Sequence, residues 1–323
     1  MRAVATVLAA AVLTLSARER AAAAVVTLTD CTAPPVTIKG PRTVVDVGND
    51  DLVIACQLGP LQPLGRIKIK AHDVTVQGPA GGIASDAVGN AVEVHADGDI
   101  TVINASLEAG NGNGAILLAS KTGFDIEHAV LVTGDADHGG RSIIVRCTGA
   151  LCPLTLTHSN LVGRVVKVKV LGAITAVSNT VVTRGPRDLI DVRSLKGDAL
   201  LCCDEMDGHN EANFFASAYC QVNLTQSQVN VGENIKVTSG IGGTSCVGPT
   251  STLLTDATLN NDFGKLGDIT VTAANNTSGI DIDGATLVDD DVMKPGDLAK
   301  LNGCEALPRS GCPHVTGTAV TDE

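Results

Sequence analysis

Aliphatic residues recur at matching positions in successive segments of this chain, and that recurrence restricts the fold more than any other feature. Aligned on Ile100, the segments place Val74, Phe124, Leu154, Ile174, Val222 and Ile269 in one column. Two residues on, a second column reads Val102, Ile126, Leu156, Ala176, Leu224 and Val271. Further along, a third reads Leu107, Leu131, Leu161, Val181 and Val229 before Asn276 breaks it. A second alternating strand precedes each of these, as in Ile67/Ile69, Val92/Val94, Ile116/Leu118, Val166/Val168, Ile190/Val192, Ile235/Val237 and Ile280/Ile282. Gly or Asp punctuates the joints, as in Ala96-Asp97-Gly98-Asp99. Alternation with a period of two marks half-buried strands.

The repeat of roughly 20–30 residues is the length at which structural units stack as a solenoid. A β-sandwich also alternates, but its hairpins do not return one residue type to one column in coil after coil. Parallel stacking does, because each coil rests on its predecessor at ~4.8 Å. The sequence therefore predicts an all-β, right-handed parallel β-helix of about ten coils, a rod of ~50 Å with disulfide-tied ends. The chain has no Trp, one Tyr and four Phe. A globular core of this size uses more aromatic bulk, whereas layered Val, Ile and Leu do not need it.

Gly65-Arg66-Ile67-Lys68-Ile69-Lys70, followed by Asp73-Val74-Thr75-Val76-Gln77-Gly78-Pro79, resembles a coil of the pectin-lyase-like β-helix superfamily. The likeness covers most of residues 40–285. It implies the fold and little about activity, because that superfamily includes lyases, hydrolases, tailspikes and non-catalytic surface proteins. The hydrolase motifs of the resembled enzymes are not in place. Arg66-Ile67-Lys68 stands at the wrong end of the rod, and Gly208-His209-Asn210 matches only in part.

Arg2, the apolar run Ala3 to Leu15 and the small residues Ala21 to Ala24 read as a secretory signal over 1–24. The run is too short for a membrane span. Residues 25–64 are expected to form an N-terminal cap and first coil, and 65–285 the helix proper. An insertion at 200–221 is expected to carry a short disulfide-stapled helix. Residues 286–323 read as an irregular tail. Secreted, extracellular or periplasmic placement suits the cysteines, whose even number favours disulfides over thiols. Cys31 and Cys56 fit an N-terminal staple; Cys147/Cys152 and Cys304/Cys312 bracket short loops; Cys202, Cys203, Cys220 and Cys246 surround the insertion. The vicinal Cys202-Cys203 is expected to reach two different partners.

The formal net charge of −12 argues against nucleic acid as a partner. One segment runs against that sign. Residues 141–196 hold Arg141, Arg146, Arg164, Lys167, Lys169, Arg184, Arg187, Arg193 and Lys196, against only Asp188 and Asp191. Several alternate with inward Val or Ile, so they should line one face as a basic stripe. Arg pairs carboxylates in bidentate fashion, which makes an anionic, uronate-bearing polysaccharide the natural ligand. Arg141, Arg146, Arg164, Lys167, Lys169, Arg187 and Arg193 are the candidate binding residues.

Asp135, Asp137 and His138, with Asp191 and Arg193, are the candidates for catalysis. Asp204, Glu205, Asp207 and Glu211 offer oxygens suited to Ca²⁺. The turn column Asn104, His128, His158, Ser178 and Gln226 is expected to form an internal polar ladder serving turn backbone groups. The outward Thr residues are interrupted by Asp125, Glu127 and Asn223. These features predict a secreted or surface β-helix without catalysis, binding an anionic polysaccharide through the stripe. The alternative is a polysaccharide lyase or glycoside hydrolase acting on a uronate polymer.

Overall fold

The structure is a computed structural model. It describes residues 23–32, 37–39, 42–60, 64–110, 113–134, 141–185, 188–208, 211–242, 245, 251–260, 269–273, 279–283, 285–289, 314–316 and 319–322. The strands form three sheets, one of 12 strands (sheet A) and two of 11 (sheets B and C). A coil visits them in the order B, A, C. Arg66–Ala71 lies in B, Val74–Gln77 in A and Gly82–Ser85 in C, and Gly89–Ala96 then returns to B. Among the described residues pairing is parallel, with one antiparallel exception, Thr37–Lys39 against Arg42–Asp46 at the edge of sheet B. This is a parallel β-helix, and its core is the file of side chains between the sheets.

The alternation explains the file. In Val165–Val170 the residues point in and out by turns, burying Val166, Val168 and Val170 while Lys167 and Lys169 face solvent. In sheet A, Val74, Ile100, Phe124, Leu154, Ile174, Ala199 and Val222 stack in direct register. Each fully buried aliphatic contributes ~1.5–3 kcal/mol by leaving water.

Three expectations about the course of the strands need correction. The first concerns the last coils. Ile269 and Val271 belong to sheet B, paired with Ile235 and Val237. Thr252 and Ile280 continue the Ile100 column instead. The third column runs without a break through Met206, Val229, Leu259 and Leu287, and Asn276 lies outside the described residues.

The second concerns 200–221, which is no insertion. Ala199–Cys202, Glu205–Asp207 and Asn213–Ser217 pair in register with the coils on both sides. Phe214 fills the core as an ordinary inward residue of sheet B. The helix expected there is replaced by these strands because Asn213–Ser217 also alternates with period two.

The third concerns the tail. His314–Thr316 and Ala319–Asp322 add parallel strands to sheets A and C, so the described part of 286–323 continues the stack. Residues 1–22 of the signal segment 1–24 lie outside the described residues, as do Cys246, Cys304 and Cys312.

Disulfides join Cys31 to Cys56 and Cys147 to Cys152, and Cys220 is also disulfide-bonded. Cys202 and Cys203, expected to diverge toward separate partners, are free thiols with their sulfurs 2.7 Å apart. No helix of the described residues is long and apolar enough to cross a membrane.

Candidate functional site

The basic segment assembles on the outer face of sheet B. Parallel register sets Arg146 beside Lys169 and Lys169 beside Arg193 on consecutive strands. At the ~4.8 Å spacing of neighbouring strands these cations form a continuous column. All three side chains are exposed, as is Lys167 in the adjacent column. That column runs Ile144, Lys167, Asp191, Phe215 and Lys236. The Arg193 Nε donates to Asp191 Oδ1 at 2.5 Å. Arg193 is thereby paired with Asp191 while its side chain stays partly exposed. Arg193, Phe215, Ser217, Lys236, Thr238 and Ile241 line a shallow open groove at the upper end of the column. Phe215 stands there half-buried, an outward aromatic between Asp191 and Lys236.

Toward the N-terminus the same face changes character. Leu117 and Ala119 interrupt the charged columns. Beyond them Lys68 Nζ lies 3.1 Å from Glu93 Oε2, so that cation is locally neutralised. Burial raises the pKa of Glu93, but hydrogen bonds from Asn90, Lys68 and His95 outweigh it and the net shift is downward. His95 is pushed below its usual value by burial and by the Lys68 charge, against the pull of Glu93. A neutral imidazole adds no cation to this end.

The remaining basic candidates are elsewhere. Arg141 precedes the strand Ser142–Cys147, and Arg164 separates Asn160–Gly163 from Val165–Val170. Both sit at the corner where sheet C passes to sheet B. Asp188 occupies the same corner, buried, and its pKa is pushed up to about 7 by that burial, against the hydrogen bond of Thr183 and the charge of Arg164. Asp135, Asp137, His138 and Arg187 lie outside the described residues. Of the catalytic candidates, the structure therefore brings together Asp191 and Arg193.

The oxygens considered for Ca²⁺ are divided by the strand they belong to. Asp204 faces the interior and is buried. Glu205 is exposed on Glu205–Asp207, with Met206 inward between the two acids. Asp207 Oδ1 accepts a hydrogen bond from Asn230 Nδ2 at 2.8 Å. Glu211 follows in the next connection, half-buried. Glu205 and Asp207 share the outward face of the strand, and the buried Asp204 points away from them into the core.

The polar ladder exists, one residue later than the sequence reading places it. Asn104, His128, His158, Ser178, Cys203, Gln226 and Asp256 all adopt positive φ, between 48° and 60°. All seven of these left-handed turn residues are exposed. The next residue points inward, giving Ser159, Asn179, Asp204 and Ser227 in one buried file. Asn179 Oδ1 accepts from the Ser159 N–H at 2.9 Å, and Asp204 Oδ1 accepts from the Asn179 N–H at 2.8 Å. Ser159, Asn179 and Ser227 also donate to main-chain carbonyls of the coil beneath, at Ile126, Leu156 and Leu201. On the outside, the His128 and His158 rings stack with centroids 4.9 Å apart and planes within 6°.

One cluster went unnoticed in the sequence. Asp51, His72 and Asp73 bring ligand-type atoms within 4.8 Å of one another, near enough to share a cation. His72 Nδ1 lies 3.1 Å from Asp51 Oδ1. The carboxylates already serve the turn that enters sheet A. Asp73 Oδ1 accepts from the Asp99 N–H at 2.7 Å, and Asp51 Oδ1 from the Asp73 N–H at 3.3 Å. The available signal was an Asp immediately before the first inward residue of a sheet A strand, seen at Asp51, Asp73, Asp99 and Asp198.

Comparison of the chain with protein-family models, with curated proteins and with solved structures found no match to any of them.

Proposed function

We propose that this chain is a non-catalytic secreted or surface β-helix that binds an anionic polysaccharide along the outer face of sheet B. The observation that carries the reading is the register of Arg146, Lys169 and Arg193 on consecutive strands, with Lys167 and Lys236 in the column beside them. A carboxylated polymer laid along the rod axis meets these cations in sequence, and exposed guanidinium groups suit paired hydrogen bonds to carboxylates. Phe215 supplies an apolar surface for a sugar ring at one end of the column. The surrounding acidity of the chain confines attraction for polyanions to this face. The pectin-lyase-like resemblance and the disulfides at Cys31–Cys56 and Cys147–Cys152 favour an extracellular setting for it.

Affinity electrophoresis in gels containing polygalacturonate or alginate tests this. The native protein is expected to be retarded at low salt and released as salt rises, because the attraction is screened. A triple Arg146→Ala, Lys169→Ala, Arg193→Ala variant is expected to lose at least about tenfold in affinity, if each contact is worth ~0.5–1 kcal/mol. Equal retardation of variant and native protein would remove the column from the account. A second reading, lyase action on a uronate polymer, rests on the Asp191–Arg193 pair beside Lys167. Growth of an unsaturated-product ultraviolet absorbance, with or without calcium, that disappears in Asp191→Asn would establish it instead.

A further inference from the structure

From Asn104 to Asp256, the left-handed turn between sheets A and C breaks the in-out alternation in each coil. The last strand residue points outward, the turn residue also points outward, and only the following residue returns to the core. Two side chains adjacent in sequence are thereby delivered to the same side of the rod. Glu127 and His128 show the consequence, with Oε1 and Nδ1 3.3 Å apart. In the coil at 199–207 the two outward residues are Cys202 and Cys203. Cys203 takes the left-handed conformation with φ of 60°, and its sulfur stands 2.7 Å from that of Cys202. That separation is closer than two non-bonded sulfurs pack and lies just beyond the ~2.05 Å of a covalent bond.

Neither sulfur has another cysteine in its column. Cys202 is flanked in register by Val177 and Thr225. The turn positions before and after Cys203 are Ser178 and Gln226. The other cysteines among the described residues, Cys31, Cys56, Cys147, Cys152 and Cys220, are already disulfide-bonded. A bridge between adjacent residues closes almost no chain, so it restrains the unfolded state little and is a poor structural staple. Its chemistry is that of an exposed, readily reversed disulfide.

We propose that Cys202 and Cys203 are a redox-active vicinal pair that cycles between the dithiol and an intramolecular disulfide, with low-molecular-weight disulfides and thiols as exchange partners. The exposed Cys203 thiolate attacks one sulfur of the small disulfide and expels the other half as a thiolate. The Cys202 thiolate then attacks the Cys203 sulfur of that mixed disulfide and displaces the second half. One dithiol and one small disulfide become one vicinal disulfide and two small thiols. The two protons lost by the cysteines pass to the two leaving thiolates, and the two electrons to the small disulfide. The order of attack follows from exposure, since Cys203 is open to solvent and Cys202 is half-buried beside it. The hydrogen bond with Cys203, burial, and the nearby Cys203 and Asp204 charges push the Cys202 thiol up to about 11, which keeps it from making the opening attack; its part in the second step comes from standing beside the mixed disulfide.

The test is thiol mapping on the full chain. The protein is reduced just enough to free this pair, treated with oxidised glutathione, alkylated, and digested for mass spectrometry. The expected result is a peptide carrying both residues, two hydrogens lighter than its dithiol form and unalkylated, with alkylation of both restored by dithiothreitol. In Cys202→Ser the resolving thiol is gone, and Cys203 is expected to retain glutathione as a mixed disulfide. Two alkylated cysteines after oxidation of the native chain would overturn the proposal. So would linkage of either one to a third cysteine, or loss of the glutathione adduct from the Cys202→Ser variant.

Discussion

Asp204 illustrates how one buried atom depends on the column it occupies. Its neighbours in the ladder each donate to a carbonyl of the coil below, and by the same geometry the carbonyl available to Asp204 is that of Ala176. An ionised carboxylate has no proton to offer there. Its Oδ2 is buried without a hydrogen-bond partner, while Oδ1 accepts from the Asn179 main-chain N–H and from Asn179 Nδ2. Burial raises its pKa to about 6, against the lowering hydrogen bonds from Asn179. The folded state therefore holds this proton more tightly than the unfolded chain, and stability falls as pH rises from about 4 through about 6. Asp204→Asn supplies a permanent donor. It is expected to stabilise the protein by about 2 kcal/mol above pH 7 and by almost nothing near pH 4. Thermal unfolding of both proteins at the two pH values checks this, and an equal shift at both would contradict it. Asn179→Ala is expected to act in the opposite direction, costing about 2–4 kcal/mol. It leaves the buried Ser159 N–H without its side-chain acceptor and strips Asp204 Oδ1 of the Asn179 side-chain donor.

At the scale of the element, the turn from sheet B to sheet A is governed by how closely one coil lies on the next. A Cβ added at Gly172 would stand 2.6 Å from the Pro153 nitrogen, and one at Gly197 would stand 2.5 Å from the Ala173 nitrogen. These are main-chain atoms of the coil below, so they cannot swing aside as a side chain can. Gly172→Ala is expected to cost about 2–3 kcal/mol, since the corner must lift off its neighbour. Chemical denaturation would show the loss as a lower midpoint at unchanged slope. The strands themselves respond to volume. Ile100→Ala, in the middle of the sheet A file, is expected to cost about 2–5 kcal/mol through lost burial and the cavity left behind.

For the whole molecule, stability is distributed along the rod and its ends need protection. The Cys31–Cys56 disulfide spans a sequence separation of 25 and ties the strand Val25–Leu28 to the coil containing Asp51–Ile54. Its removal by paired Ser substitution is expected to cost about 3 kcal/mol, more than removal of the Cys147–Cys152 link, which spans 5. Comparison of the two variants in one calorimetric series would test that order. The rod form also gives the Arg146, Lys169 and Arg193 column its meaning. These side chains are far apart in sequence and adjacent only because their strands pair in parallel.

Period-two alternation is a local property of the chain. That is why the inward columns around Ile100, the outward cations of sheet B and the parallel β-helix itself are legible in the amino-acid sequence. Alternation does not say which sheet a strand joins. Ile269/Val271 and Ile280/Ile282 look alike as sequence, and only their stacking partners assign the first pair to sheet B and the second to sheet A. Nor does it say where a turn absorbs a residue. The left-handed conformation after the sheet A strands from Asp99–Ile103 to Ser251–Thr255 advances the pattern by one, moving the buried ladder from His158 to Ser159 and from Ser178 to Asn179. The order of residues along the chain determined which side chains seek the interior and which seek water. The tertiary structure decided which of them meet, because a coil's neighbours lie some twenty or more residues away and are chosen by stacking between coils rather than by anything within one.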